Sequence, residues 1–421
     1  VLIGQLRDHL AGGWQLDRHE NSGPSAGRAL LEHLTTTHPL QPFSREYFQG
    51  QPRLFTYSNQ WRDVHREFGY LNHAVPRDQT MWQPTEALTL TDLGDFLRSP
   101  VDMFFQKVLQ VRFGDLAGID LDNEPFVVAG LERWSLNQEI LKPISDQLRA
   151  DVNSDIAVLL QRQLNRVRGQ GSLPHPPFSQ CVQEQLRNTM QRQVELYRDE
   201  LVDLQPMTLP PIQLSTKALA RGQEIVLSDS LDLVFRVKDE PAQVRRLMWL
   251  ASDLRDGPKF NFAQAVRLWP HHLALCTFAG EAANTIIIHG GGQRLAWPGL
   301  PAAEAGQLLL GLLQAFDLGM QEPLPVACQT AYVAMVDHDA KLPSQSGRAE
   351  FQYNGGDHLI GDTAKSPLLA RCWPTFEDLV QTPAPTTIQP TFDQCLERLY
   401  RPFYNFLVAN FESLDQEGYD E

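Results

Sequence analysis

The residues best placed to do chemistry are acids. An acid at the end of one strand, followed on the next strand by an acid two residues before a lysine, can hold Mg²⁺ and polarise an attacking water. Such an arrangement can support metal-dependent phosphodiester hydrolysis. Asp232, in the run SLDLVF, heads a candidate strand, and the following run RRLMWLASDLR offers Asp253-Leu254-Arg255. Arginine replaces that lysine poorly, because it stays protonated and presents a planar fork where a compact ammonium is needed. Neither catalysis nor a bound metal is therefore expected, and Asp232 and Asp253 read as vestigial. A true Asp-x-Lys, Asp339-Ala340-Lys341, lies far downstream in the polar run VDHDAKLPSQSG and reads as surface loop.

Other patterns fail on context. Gly23-Pro24-Ser25-Ala26-Gly27 matches the G-x-S-x-G nucleophile elbow, and His289-Gly290-Gly291-Gly292 matches the oxyanion-hole glycines of lipases. No strand is expected before Ser25, and in those hydrolases the HGGG run comes before the nucleophile. Gly290 to Gly292 are expected to make a tight turn between strands. His271 and His272 are adjacent, so on a helix they point about 100° apart and cannot easily share an ion. One is expected buried and hydrogen-bonded, the other exposed. No G-x-x-x-x-G-K-[ST] occurs, which excludes a P-loop motor within these residues.

The 421 residues can bury one large core, or two of ordinary size. A formal net charge of −15 argues against indiscriminate coating of DNA, where phosphate neutralisation needs an excess of Lys and Arg, though it leaves room for a local channel. Local cations suited to such a channel are Arg245 and Arg246, Lys259 and Arg267. Arg162, Arg166 and Arg168 form either a solvated helix face or further phosphate contacts. The cysteines, Cys181, Cys276, Cys328, Cys372 and Cys395, are odd in number and widely spaced, which suggests neither a disulfide framework nor a zinc site. No cofactor is expected. No apolar run approaches the roughly 18 residues that span a bilayer. A cytoplasmic protein without membrane contact is the expectation. The chain opens on Val1, and its first stretch reads like the end of a structure, so a fragment of a longer protein is expected.

Several elements must position these residues. In LTLTDLGDFLRSPVDMFFQKVLQVRF, Thr91 can cap a helix that places Leu93, Phe96 and Leu97 on one face, and Pro100 breaks it before a second helix. Residues 150–205 read as two helices separated by GQGSLPHPPF. After Pro211, EIVLSDSLDLVFRV reads as one or two strands, RRLMWL as another and NTIIIHG as a buried strand, with a helix across NFAQAVRLWPHHLALCTFAG despite Pro270. A last helix covers FDQCLERLYRPFYNFLVANF. Near the start, the aromatics of HPLQPFSREYFQGQPRLFTYSNQW, among them Phe43, Phe55, Tyr57 and Trp61, are expected to anchor a connecting segment on a neighbouring domain. The order of elements predicts an α/β or α+β fold.

Taken together, HPLQPFSREYF with LFTYSNQW, LTLTDLGDFLRSPVDMFFQKVLQVRF, EPFVVAGLERWSLNQEIL, LWPHHLALC, SPLLARCWPTFEDL and LERLYRPF resemble, in order, the C-terminal region of the RecC family. These are gamma subunits of exodeoxyribonuclease V, and the resemblance covers nearly the whole chain. The second block is shared more loosely with AddB-type and other recombination nucleases of the PD-(D/E)XK class. The resemblance implies a non-catalytic scaffold and DNA-handling subunit of a RecBCD helicase and nuclease, working with RecB-type and RecD-type subunits on DNA. Such a subunit acts in double-strand break repair, homologous recombination, strand separation and Chi-dependent processing. It further implies that residues 1–80 end a helicase-like domain and its connecting segment. Residues 81–421 would form a catalytically degenerate PD-(D/E)XK nuclease-like core with a helical insertion at about 150–205. The rival is an active Mg²⁺-dependent deoxyribonuclease using Asp232 and Asp253.

Overall fold

The computed structural model describes residues 2–14, 16, 24–41, 43–57, 87–111, 130–174, 176–217, 224–256, 259–339, 347–356, 359–381 and 390–411. The chain divides into two compact units, Val1–Gln79 and Thr80–Glu421. In the first, α1 (Leu2–Gly13) packs on α2 (Pro24–Leu34). The contact is so close that a Cβ on Gly27 would fall 2.0 Å from the Ala11 carbonyl oxygen. Pro24 to Gly27 of the G-x-S-x-G pattern lie in this helix, not on a strand-to-helix turn. Phe55 and Tyr57 meet edge to face at 5.5 Å and remain largely exposed. Trp61 lies outside the described residues.

The second unit opens on α3 (Leu90–Arg98), which buries Leu93, Phe96 and Leu97 as the spacing predicts. Its cap is Thr89, not Thr91: the Asp92 amide donates to the Thr89 hydroxyl and the Asp92 carboxylate accepts from the Thr89 amide, closing a reciprocal box. Pro100 ends α3 and supplies the first residue of α4 (Pro100–Lys107), where its missing N–H costs nothing. Three helices follow: α5 (Gly130–Ala150), α6 (Ile156–Gly169) and α7 (Phe178–Val202). The helical layer thus begins ahead of the 150–205 stretch marked by the sequence. Its apolar stripes, such as Ile156, Leu160, Leu164 and Val167, form one core.

The strands are β1 (Leu204–Pro206), β2 (Ile212–Lys217), β3 (Glu224–Asp229), β4 (Val234–Val237) and β5 (Val244–Trp249). A short hairpin of β6 (Arg255–Asp256) and β7 (Lys259–Phe260) follows, then α8 (Phe262–Val266), α9 (Trp269–Ala279), β8 (Ala283–His289) and β9 (Gln293–Pro298). The main sheet runs β1-β4-β5-β8-β9, with β5 and β8 parallel and the other pairs antiparallel; β2 and β3 form a separate hairpin. Gly290 to Gly292 make the expected turn between β8 and β9. The helix read across Pro270 is two helices, because Pro270 is tolerated only in the first turn of α9.

Strand alternation divides the sheet between two cores. Leu247, Ile286 and Ile288 join the α5–α7 core, while Val244, Ala283, Ile287 and Trp297 face α9 and α10 (Ala302–Gly319). The remaining elements are α11 (Cys328–Asp339), α12 (Arg348–Asn354), α13 (Asp362–Lys365), α14 (Pro367–Cys372), α15 (Phe376–Val380), α16 (Phe392–Leu399) and α17 (Arg401–Asn410). The last two replace the single terminal helix, with Pro402 in the first turn of α17. The result is a mixed α/β architecture of the α+β kind. Among the described residues, no helix is long and apolar enough to cross a membrane.

Trp269, Trp297, Phe403 and Phe406 pack together in the larger core with ring centroids 4.9–6.5 Å apart, and His272 is sealed among them. Its Nε2 lies 3.0 Å from the Pro298 carbonyl oxygen and its Nδ1 2.8 Å from the Thr285 hydroxyl. The ring therefore donates to the carbonyl and accepts from the hydroxyl as a neutral imidazole. Burial pushes its pKa down to about 3. An unfolded chain takes up this proton near pH 6.5 while the folded one refuses it, so the contribution is complete above that pH and lost on acidification. Lowering the pH from 7 to 5 is expected to remove roughly 2 kcal/mol through this one residue. Urea unfolding of wild type and His272→Gln at both pH values measures it; equal losses in the two proteins would refute the assignment.

Candidate functional site

Asp232 stands two residues before β4, at the mouth of the β4–β5 hairpin. The register pairs Val234 with Arg246, and the Leu247 amide donates to the Leu233 carbonyl at 3.0 Å. Arg246 and Met248 lie two apart on β5, and the Arg246 side chain reaches both Asp232 and Met248. Asp253-Leu254-Arg255, in which the sequence sought an acid-x-Lys, lies beyond the end of β5.

Arg246 is 3% exposed. Its Nη2 donates to Asp232 Oδ1 at 3.0 Å, its Nε to the Asp232 carbonyl at 3.2 Å and its Nη1 to Met248 Sδ at 2.9 Å. Burial lowers its pKa, and the Asp232 carboxylate opposes that shift. The same grip holds an unusual backbone: Leu233, next to Asp232, has φ +56°, a left-handed conformation costly for a branched side chain. His271 joins this corner half-buried, not exposed, with its pKa brought down to about 4 by burial and by Arg246.

These residues do not fit a divalent ion. Neighbouring β5 supplies neither a second carboxylate nor a lysine, and a buried guanidinium already holds one oxygen, Oδ1, of the largely exposed Asp232 carboxylate. Among the described residues no group of three His, Cys, Asp or Glu could hold a metal. Asp253 lies apart, its Oδ1 3.9 Å from His289 Nδ1 at the end of β8. Of the decoy Asp-x-Lys, Asp339 ends α11 and meets Arg401 at 3.5 Å, whereas Lys341 is outside the described residues.

The candidate DNA-contacting cations are scattered and mostly engaged. Arg245 and Arg246 sit inside β5 rather than before it, so alternation sends them to opposite faces. Arg245 reaches Glu200 at 3.4 Å, and Arg294, a cation that the sequence reading passed over, shares the same carboxylate. Two guanidiniums on one acid leave a net positive charge there. Arg267 pairs with Asp95, and Arg166 with Glu139 at 3.2 Å. Arg162 and Arg168 are exposed on α6 and form no ion pair among the described residues. Lys259 lies on β7, and its side chain is outside what the structure describes.

Two comparisons bear on identity. A family model described as the RecC C-terminal domain matches residues 85–338. The RecBCD enzyme subunit RecC of Escherichia coli (strain K12) is 24% identical over 425 aligned residues, covering 96% of this chain and 33% of that protein. The RecBCD enzyme subunit RecC of Haemophilus influenzae is 23% identical over 296 residues, covering 68% of this chain and 22% of that protein. The chain thus spans about a third or less of the length of these relatives.

Asp232→Ala strips the one carboxylate from a buried guanidinium and is expected to destabilise the fold by about 1–3 kcal/mol. Arg246→Met removes the charge itself, leaves Asp232 in solvent and is expected to be within about 1 kcal/mol of wild type. Urea unfolding of the two variants measures the contrast; a larger loss in Arg246→Met would contradict it.

Proposed function

The chain belongs to the RecC C-terminal domain family, and from that premise we propose that it is a non-catalytic, DNA-handling and scaffolding part of a RecBCD-type helicase and nuclease. In this reading it works in the cytoplasm with RecB-type and RecD-type subunits, in double-strand break repair and homologous recombination. Strand separation and Chi-dependent processing are the steps it serves. Residues 1–80 end a helicase-like domain and its connector, and residues 81–421 form a PD-(D/E)XK nuclease-like domain that has lost its chemistry.

The observation that carries the reading is the Arg246–Asp232 pair. An acid stands two residues before a strand, where a PD-(D/E)XK nuclease would carry its first metal ligand, and the side chain that reaches it from the next strand is an arginine. Mg²⁺ chemistry needs a second anionic ligand and a titratable ammonium. A fixed guanidinium offsets the charge of Asp232 and is itself neither a metal ligand nor a titratable base. Retained polarity in a hairpin that does no hydrolysis fits a surface kept for passing DNA along. Arg162, Arg168 and the doubly shared Glu200 corner with Arg245 and Arg294 are the cations available for that role.

The rival reading, hydrolysis by Asp232 and Asp253, is tested directly. Incubated with single- and double-stranded DNA and Mg²⁺ or Mn²⁺, the purified chain is expected to leave both intact. Cleavage that disappears in Asp232→Ala would overturn the proposal.

A further inference from the structure

A cavity of about 490 Å³ opens just past β5 in the Thr80–Glu421 unit. Its walls are the α3–α4 junction, the corner from β7 into α8, the start of α11 and the chain from α12 to α14. Three carboxylates line it, and two of them are consumed by the protein. Asp362, 8% exposed, accepts from the Thr330 amide at 3.0 Å, the Thr330 hydroxyl at 2.8 Å and Gln352 Nε2 at 3.0 Å. Asp102 accepts from the Ser99 and Ser366 hydroxyls, each at 2.7 Å. These bonds fix the walls and leave other groups for a ligand.

What remains is a divided set. Arg98 is exposed at the α3 end and makes no ion pair among the described residues; burial pushes the neighbouring Cys328 thiol up, and Arg98 opposes that shift only weakly. The ammonium of Lys365 stands 3.6 Å from Asp362, with donors to spare. Asp253 is half-exposed, and the side-chain amides of Gln264 and Gln329 make no hydrogen bond among the described residues. The cavity thus offers two cations together with the half-exposed Asp253 carboxylate and two amides that can both donate and accept.

A bare phosphate would use only the cations, and an acidic peptide would meet Asp253. A nucleotide uses both halves, since its phosphate suits Arg and Lys while amides and a carboxylate read the donor and acceptor edge of a base. The volume lies in the range of sites that enclose a small organic ligand. We propose that this cavity takes one nucleotide, its phosphate on Arg98 and Lys365 and its base edge on Asp253, Gln264 and Gln329. Its occupant as a residue of a passing single strand rests on the DNA-handling reading above; a free mononucleotide does not.

Anisotropy titrations of the 421-residue chain with a labelled 12-nucleotide strand, and calorimetric titrations with deoxynucleoside monophosphates, separate these sources. Arg98→Glu is compared with Lys142→Glu, an exposed charge reversal on α5, and Arg98→Gln replaces the former if Arg98→Glu fails to fold. The expected result is roughly 10-fold weaker strand binding by the Arg98 variant and less than about 2-fold change for Lys142→Glu. Equal effects of the two reversals, or no effect of either, would overturn the pocket while leaving DNA handling intact. Monophosphate binding lost in Arg98→Glu, with no strand binding by wild type, would keep the pocket and remove the strand. Wild-type chain that binds neither ligand refutes the site.

Discussion

Strands β5 and β8 run parallel through the middle of the larger unit and are covered on both faces, so each of their side chains must be accepted by one core or the other. Arg246 is the fully buried charge of β5, beside the partly exposed Arg245, and its accommodation shapes what surrounds it. A guanidinium cannot shed its charge as a lysine or carboxyl can, so burial demands a partner. Asp232 supplies both a carboxylate and a carbonyl to that end, and the left-handed Leu233 is the turn that presents them. The hairpin mouth is built around one ion pair.

A divalent ion and a guanidinium can each neutralise an acid near a strand end, but they differ in what they bring: the ion keeps open coordination positions, whereas the guanidinium offers donors only. At Asp232 the guanidinium holds Oδ1 and the backbone carbonyl, while the carboxylate itself remains largely exposed.

Much of the fold was legible because it rests on local rules. The extended character of residues 224–237, the NTIIIHG strand and the glycine turn after it, and the α3 face of Leu93, Phe96 and Leu97 all follow from periodicity and turn chemistry, whereas periodicity leaves open whether 224–237 is one strand or two. The cap moved from Thr91 to Thr89 because the reciprocal partner Asp92, and not the hydroxyl alone, decides the cap. The site was less legible. Asp232 is evident as an acid before a strand, yet which residues face it depends on hairpin register, and a search for an acidic triplet led past Arg246-Leu247-Met248 to Asp253. The cavity could not be read at all, since its walls come from segments spread between Arg98 and Leu369. Ion pairing is similarly non-local: nothing near Arg267 in sequence announces Asp95.

The central claim is that a guanidinium has taken the place of a metal at Asp232. Titration of the purified chain with Mn²⁺, followed by the loss of the free-ion electron paramagnetic resonance signal, tests it without reference to any activity. The account predicts no saturable site that distinguishes wild type from Asp232→Ala. A stoichiometric Mn²⁺ site present in wild type and absent from Asp232→Ala would contradict it.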